Sequence, residues 1–216
     1  MITAVVAVRV GSQRVKDKNI KPFAGSNLLE LKLSLLKQVR NIDEIVVDSD
    51  SDEMLDIGIA HGVSVQKRID YYASSECTNS EFHGHIAETT ETDIIFLAPV
   101  CAPFVSIESH ENSIDYYLQN DFDSVVSVTE VRNHLWLDGK PLNYDLNNVP
   151  NSQDLPDVLK LNYGITIVDR EVMKNEKRVV CHSPGFYKLN EIESIDIDTE
   201  LDFMIAEIIY EKYYKE

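Results

Sequence analysis

Ile2-Thr3-Ala4-Val5-Val6-Ala7-Val8 runs directly into Arg9-Val10-Gly11-Ser12-Gln13-Arg14-Val15-Lys16-Asp17-Lys18-Asn19-Ile20-Lys21. The first half is rich in β-branched residues and almost continuously apolar, which is how a strand buried on both faces of a parallel sheet reads. The second half carries five of the chain's 20 basic residues and a single acid, Asp17, against a net charge of -17. Such a loop, straight after a strand, lies at the carboxyl edge where open α/β sheets bind ligands. Gly11 lets the backbone come close to a phosphate, a turn of successive N–H groups forms an anion nest, and Arg and Lys add charge. Those are the needs of a triphosphate. A solvated basic loop without a ligand has the same composition, and neither GxxxxGK[ST] nor GxGxxG occurs in this region.

Outward from this stretch, Leu28, Leu31, Leu35 and Val39 fall at helical spacing and Ile45-Val46-Val47 reads as a buried strand, completing a βαβ unit. The pattern then predicts helix over 52–61, strand over 63–65, helix over 80–88, strand over 93–97, helix over 107–118 and strands over 124–128 and 165–168. A final helix is predicted over 200–214. Alternation of this kind predicts a three-layer α/β domain with a mostly parallel, Rossmann-like sheet. The stretch 133–157, rich in Asn, Asp and Pro, reads as an excursion or flap within one domain spanning residues 1–216.

A length of 216 residues, 44% hydrophobic and 26% charged, is ordinary for one soluble core. The strong negative charge argues against a nucleic-acid or anionic-membrane partner. Three widely spaced cysteines, Cys77, Cys101 and Cys181, suggest neither disulfides nor zinc and fit a reducing cytoplasm. The apolar run 2–8 is too short to span a bilayer and lacks the basic start of a signal peptide.

Val8 to Val15, followed by Lys18-Asn19, resembles the nucleotide-binding signature of the acylneuraminate cytidylyltransferases, the CMP-sialic acid synthetases and their relatives. The resemblance continues in order through Ile45 to Glu53, Arg68 with 73–80, Ala102-Pro103-Phe104, Gln153-Asp154-Leu155-Pro156 with Asn162, and Ile195 to Phe203. It implies a nucleotidyltransferase fold of the nucleotide-diphospho-sugar transferase type, transfer of CMP from CTP to a small acidic sugar with release of pyrophosphate, a Mg²⁺ requirement, and a homodimer whose excursion lies near 133–160. By the same resemblance Arg9 and Lys18 hold phosphates as catalytic groups. Gly11, Ser12, Gln13, Asn19, Arg68 and Ser80 line the nucleotide, and Gln153, Lys160 and Asn162 meet the acceptor. Gln13, Pro99, Ser152 and Lys160 depart from the family's usual residues, so the acceptor is less defined than the nucleotide: a sialic, pseudaminic or legionaminic acid, a 3-deoxy-octulosonic acid, or a phosphonate.

Ile195-Asp196-Ile197-Asp198 alternates, so on a strand both carboxylates project from one face about 7 Å apart, a spacing that suits one Mg²⁺ held by two carboxylates and substrate phosphates. The residues alone equally admit a helix cap from Thr199 and Asp202; the resemblance favours metal, with Asp198 as direct ligand and catalytic group. A second acidic run, Asp48 to Glu53, lacks the glycine and twelfth-position glutamate of a calcium loop. It caps a helix from Asp52, or serves as the metal motif of a nucleotide-sugar glycosyltransferase, which is the alternative enzyme reading. A degenerate nucleotide-binding protein is the non-enzymatic one. His83, His85, His110, His134 and His182 are read as surface or core residues.

Overall fold

The computed structural model describes residues 1–12 and 14–214. Its elements in chain order are β1 (Ile2–Val8), β2 (Pro22–Phe23), β3 (Ser26–Asn27), α1 (Leu28–Leu36), β4 (Glu44–Ser49), α2 (Asp52–Ala60), β5 (Ser64–Lys67), α3 (Asp70–Ala73), α4 (Asn79–Thr89) and β6 (Ile94–Leu97). Then follow α5 (Ile107–Leu118), β7 (Ser124–Val131), β8 (Trp136–Leu137), β9 (Lys140–Pro141), β10 (Val158–Asp169), α6 (Arg170–Glu176), β11 (Pro184–Lys188) and α7 (Glu200–Tyr213). None of the described helices is long and apolar enough to cross a membrane.

Seven strands form one sheet in the order β11-β7-β10-β6-β1-β4-β5. All pairings are parallel except those of β10, which runs against both β6 and β7. β1 is central, and its alternate residues explain the three layers. Ile2, Ala4, Val6 and Val8 face a core completed by Leu29 and Leu33 of α1, Met54 of α2, Ile114 of α5 and Phe203 of α7. Val5 faces the other way, onto Ile86 of α4 and Met173 of α6. A strand with two apolar faces has to be covered on both.

The helices begin where short polar side chains can accept an orphan N–H. Ser51 caps α2 by accepting from Met54 N, and Ser106 caps α5 by accepting from Ser109 N. Thr78 with Glu81 and Thr199 with Asp202 form capping boxes at α4 and α7. The acidic run therefore resolves residue by residue: Ser51 is the cap, Asp52 and Glu53 occupy the first turn of α2, and Asp48 and Asp50 have other partners, described below.

The structure refines three expectations. The segment 195–198 forms no strand; Ile197 N donates to the Cys101 carbonyl, in the turn after β6, at 2.9 Å. The alternation survives, with Ile197 fully buried between the two aspartates. The strand predicted at 165–168 is the second half of β10. Its first half pairs with β7 on a largely exposed ribbon, so no apolar run betrays it. Within the excursion after residue 133, β8 and β9 form a hairpin turning through Asp138 (φ +49) and Gly139 (φ +74), and Asp-Gly is a strong signal for that turn. It leaves Trp136, Leu137, Leu142, Leu146 and Val149 more than half exposed.

Candidate active site

Leaving β1, the chain enters the basic loop, which is pinned at several points. Val15 is fully buried in the main core. Asn19, itself buried, donates its amide to the Arg9 carbonyl at 3.0 Å, and Val10 N donates to Asp50 Oδ1 at 3.0 Å. The Arg9 guanidinium donates to the Ala73 carbonyl. Gly11 turns the loop at φ +78, a left-handed conformation that favours glycine, although nothing stands within 4 Å of where a Cβ would be. Gln13 lies outside the described residues.

This loop walls a cavity of about 400 Å³ at the carboxyl end of β1. Arg9, Ser12, Arg14, Lys18 and Asn19 line one side, and Pro99, Val100 and Cys101 the other. Three cations of the loop reach residues 197–200 at the start of α7. Arg14 Nη2 meets Asp198 Oδ1 at 2.7 Å, Lys18 Nζ donates to the Ile197 carbonyl at 2.7 Å, and Lys21 Nζ meets Glu200 Oε2 at 2.7 Å. Arg9, Arg14, Lys18 and Asn19 thus line one space, with Asp198 beside it through Arg14 and Asp196 beside it through Cys101.

The carboxylates sit under opposing influences. Partial desolvation pushes the Asp196 carboxyl above the ordinary range, a hydrogen bond with the Cys101 side chain lowers it, and the like charge of Asp198 raises it again. Burial drives the Cys101 thiol up to about 12, so it remains a neutral wall. Behind that wall Lys32, 2% exposed, donates to the Ala102 carbonyl at 2.9 Å, and burial draws its ammonium down to about 8. Lys32 therefore fixes the 98–103 turn from beneath. No cluster of three or more His, Cys, Asp or Glu side chains forms a closed metal cage among the described residues.

A second cleft of about 290 Å³ adjoins the first, sharing Ala7 and Pro99 as its floor. Asn79, Phe82 and His83 of α4 line one side, Tyr163 and Thr166 of β10 the other. His83, read from sequence as surface or core, faces this cleft, and desolvation lowers its imidazole below the usual value. His85 is buried and stacked on Tyr72 at 3.8 Å, as a core residue is. Ser80 sits exposed on the first turn of α4, one residue beyond the lining Asn79.

Arg68 departs from its expected role. It is 3% exposed, its Nε donates to Asp48 Oδ1, its Nη2 donates to the Asp48 carbonyl at 2.8 Å, and its guanidinium lies 5.0 Å from the Phe82 ring centre. A buried arginine already paired in this way has its charge matched within the protein. It supports the cleft from below through Phe82 and, by the same pairing, removes Asp48 from any metal motif.

The acceptor candidates are not brought together. Gln153 is exposed on a short 3₁₀ turn, and Lys160 is exposed on β10. Asn162 is half-buried, and its amide is saturated. Its nitrogen donates to Thr129 Oγ1 at 2.8 Å and Ser194 Oγ at 3.3 Å, and its oxygen accepts from Ser127 Oγ and from Gly164 N at 3.2 Å. Beside Thr129 a cavity of about 460 Å³ opens between the ends of β7 and β11, lined by Arg132 and Lys188. Both cations are paired with Glu130. Nothing in the local sequence sets Arg132 or Lys188 apart; only the parallel pairing of β11 with β7 places them together.

A family profile described as Cytidylyltransferase matches residues 3–135, more than half of the chain. The CMP-N,N'-diacetyllegionaminic acid synthase of Legionella pneumophila is 28% identical over 226 residues, covering 97% of this chain and 96% of that protein. The N-acylneuraminate cytidylyltransferase of Oncorhynchus mykiss is 25% identical over 215 residues, and the chain spans about half of its length (49%). Among solved structures, that of CMP:2-keto-3-deoxy-manno-octonic acid synthetase complexed with CTP superposes with a TM-score of 0.74 at 13% identity, covering 98% of both chains. Its likeness is one of fold: the same mostly parallel sheet between helices. With the matched profile running from β1 through the basic loop and the 98–103 turn, the chain belongs to the cytidylyltransferase family of nucleotidyltransferases.

Proposed function

We propose that the protein is a Mg²⁺-dependent cytidylyltransferase that transfers CMP from CTP to a nonulosonic-type sugar acid and releases pyrophosphate. One observation carries this reading: Arg9, Arg14 and Lys18 line a single cavity of about 400 Å³, and beside it Asp198 pairs with the lining Arg14 while Asp196 shares a hydrogen bond with the lining Cys101. On a chain of net charge -17 this is a locally cationic space with an acidic rim. A triphosphate and its metal complement that charge pattern.

In this reading Arg9, Lys18 and the loop backbone from Gly11 to Ser12 hold the phosphates and offset the charge that grows at the α-phosphorus and on the leaving pyrophosphate. The acceptor hydroxyl oxygen forms the new bond to the α-phosphorus as the bond to the bridging oxygen breaks; pyrophosphate leaves with that electron pair and the hydroxyl proton is released. The base occupies the neighbouring mainly apolar cleft beside Asn79, Phe82 and His83, since the two spaces share Ala7 and Pro99. The donor set suits Mg²⁺: two carboxylate oxygens with phosphates completing the shell is how that ion is usually held. Arg14 at present supplies the positive charge opposite Asp198. When bound, the ion polarises the α-phosphate and helps to orient the incoming hydroxyl.

The acceptor class rests on the relatives' names. The exposed apolar side chains of the 133–149 excursion suit a homodimer contact, and the free thiols a cytoplasmic location. Incubation with CTP, Mg²⁺ and a panel of sialic, legionaminic, pseudaminic and 3-deoxy-octulosonic acids, with pyrophosphate followed continuously, is expected to give turnover with at least one nonulosonic acid. No pyrophosphate across the panel, with no CTP binding by calorimetry, would overturn the proposal. Sugar transfer from a ready-made nucleotide sugar would support the glycosyltransferase alternative instead.

A further inference from the structure

β10 is the one strand of the main sheet antiparallel to both of its neighbours, and its register against β7 slips between Leu161 and Thr166. Within the slip Tyr163 has φ +53. For a bulky aromatic that left-handed conformation is a genuine outlier. Glycine would accept it without strain, yet the glycine stands one place later. A Cβ at Gly164 would lie 3.2 Å from both Leu189 and Val105, so those side chains would have to shift to admit one. The order Tyr163-Gly164 therefore keeps the strain in place.

The surroundings enforce it. All four hydrogen-bonding positions of the Asn162 amide are used within the bulge and its neighbours, and Ser127 Oγ also accepts from Ile165 N at 2.9 Å. Strain that a rigid network over-determines clusters at ligand clamps and active sites. What the network presents is the Tyr163 side chain, 46% exposed, lining the mainly apolar cleft opposite Phe82 and His83. Its hydroxyl has no hydrogen-bond partner among the described residues. A folded chain that kept a strained, half-exposed aromatic for packing alone would be better served by glycine.

We propose that Tyr163 is a further substrate-binding residue, its ring held by the Asn162 network so as to stack on the pyrimidine of bound CTP. The assignment rests on the nucleotide reading above, which places the base in this cleft. It also gives Asn162 a positioning role in place of direct acceptor contact.

The test compares wild type with Tyr163→Gly, Tyr163→Asn and Tyr163→Phe, by calorimetry with CTP and with inorganic tripolyphosphate and by thermal melting. Tyr163→Phe keeps the ring and is expected to bind CTP as wild type does. Tyr163→Gly and Tyr163→Asn, two residues that tolerate a positive φ, are expected to bind CTP about tenfold more weakly, the lower range for loss of one base–aromatic stack. Tripolyphosphate, which has no base, should bind all four proteins equally, and Tyr163→Gly should melt above wild type because the strain is relieved. A variant that gains stability while losing CTP affinity is not what a purely structural residue gives. Unchanged CTP affinity in Tyr163→Gly, or an equal loss with tripolyphosphate, overturns the inference alone; a wild-type protein that binds no CTP overturns the nucleotide reading and this assignment with it.

Discussion

Lys18→Ala is expected to lower turnover about 10²–10³-fold, the usual loss when one donor aimed at developing charge is removed. Lys18 is half-buried, lines the cavity of about 400 Å³, and has its ammonium 2.7 Å from the Ile197 carbonyl, midway in sequence between the two candidate metal ligands. Removing it takes a positive charge from the place where the leaving pyrophosphate accumulates negative charge. It also frees the segment that carries Asp196 and Asp198. KM for CTP should rise too, since the ground-state triphosphate meets the same ammonium. Lys16, two residues away, is exposed and does not line the cavity. Lys16→Ala is therefore the matched control and should retain near-wild-type kinetics. Steady-state pyrophosphate release at saturating Mg²⁺ separates the two; equal rates for Lys18→Ala and Lys16→Ala would remove Lys18 from the site.

The second large effect is expected at Asp198. Asp198→Asn keeps the shape and the hydrogen-bonding reach of the side chain but removes its charge. The concentration of Mg²⁺ giving half-maximal rate should rise at least ~10–100-fold, the range already seen when a partner of a metal ligand is lost. Stability should hardly move, because Asp198 and Arg14 are an ion pair with both side chains substantially exposed (43% and 65%) and such pairs are worth about 0–1 kcal/mol. The α7 capping box, which runs through Thr199 and Asp202, stays intact in this variant. An unaltered Mg²⁺ dependence with an unaltered melting temperature would reduce Asp198 to a surface partner of Arg14.

Much of this arrangement was legible in the residues, and the exceptions have physical causes. β1 declared itself because both of its faces are apolar. The basic loop stood out against an acidic chain, and the alternation at 195–198 correctly put Ile197 inside and the aspartates outside. It was not a strand, because the group that receives the Ile197 N–H is the Cys101 carbonyl of a turn, and no sequence pattern announces that partner. Arg68 misled for a related reason. An arginine for a ligand and an arginine for a buried carboxylate look alike in sequence, and the distinction is made by Asp48, 20 positions earlier on an adjacent strand. β11 was hidden because its Pro184 and Gly185 read as a breaker pair. On an edge strand that pair is tolerated, and at Gly185 a Cβ would lie 2.7 Å from the Phe122 ring. His83 and Tyr163 could not be assigned to a cleft before the slip in β10 brought them opposite one another.

The bond between Arg14 and Asp198 joins residues 184 positions apart, and Lys18 and Lys21 close loops of nearly the same length onto Ile197 and Glu200. Such closures are entropically late, since the ends meet only after the sheet between them has formed. Refolding from denaturant should therefore restore helical and sheet signal first and the ability to quench a fluorescent CTP analogue afterwards, a delay that stopped-flow measurement can resolve; simultaneous recovery would count against it. Until that final closure a partly folded chain holds its basic loop and its acidic segment apart.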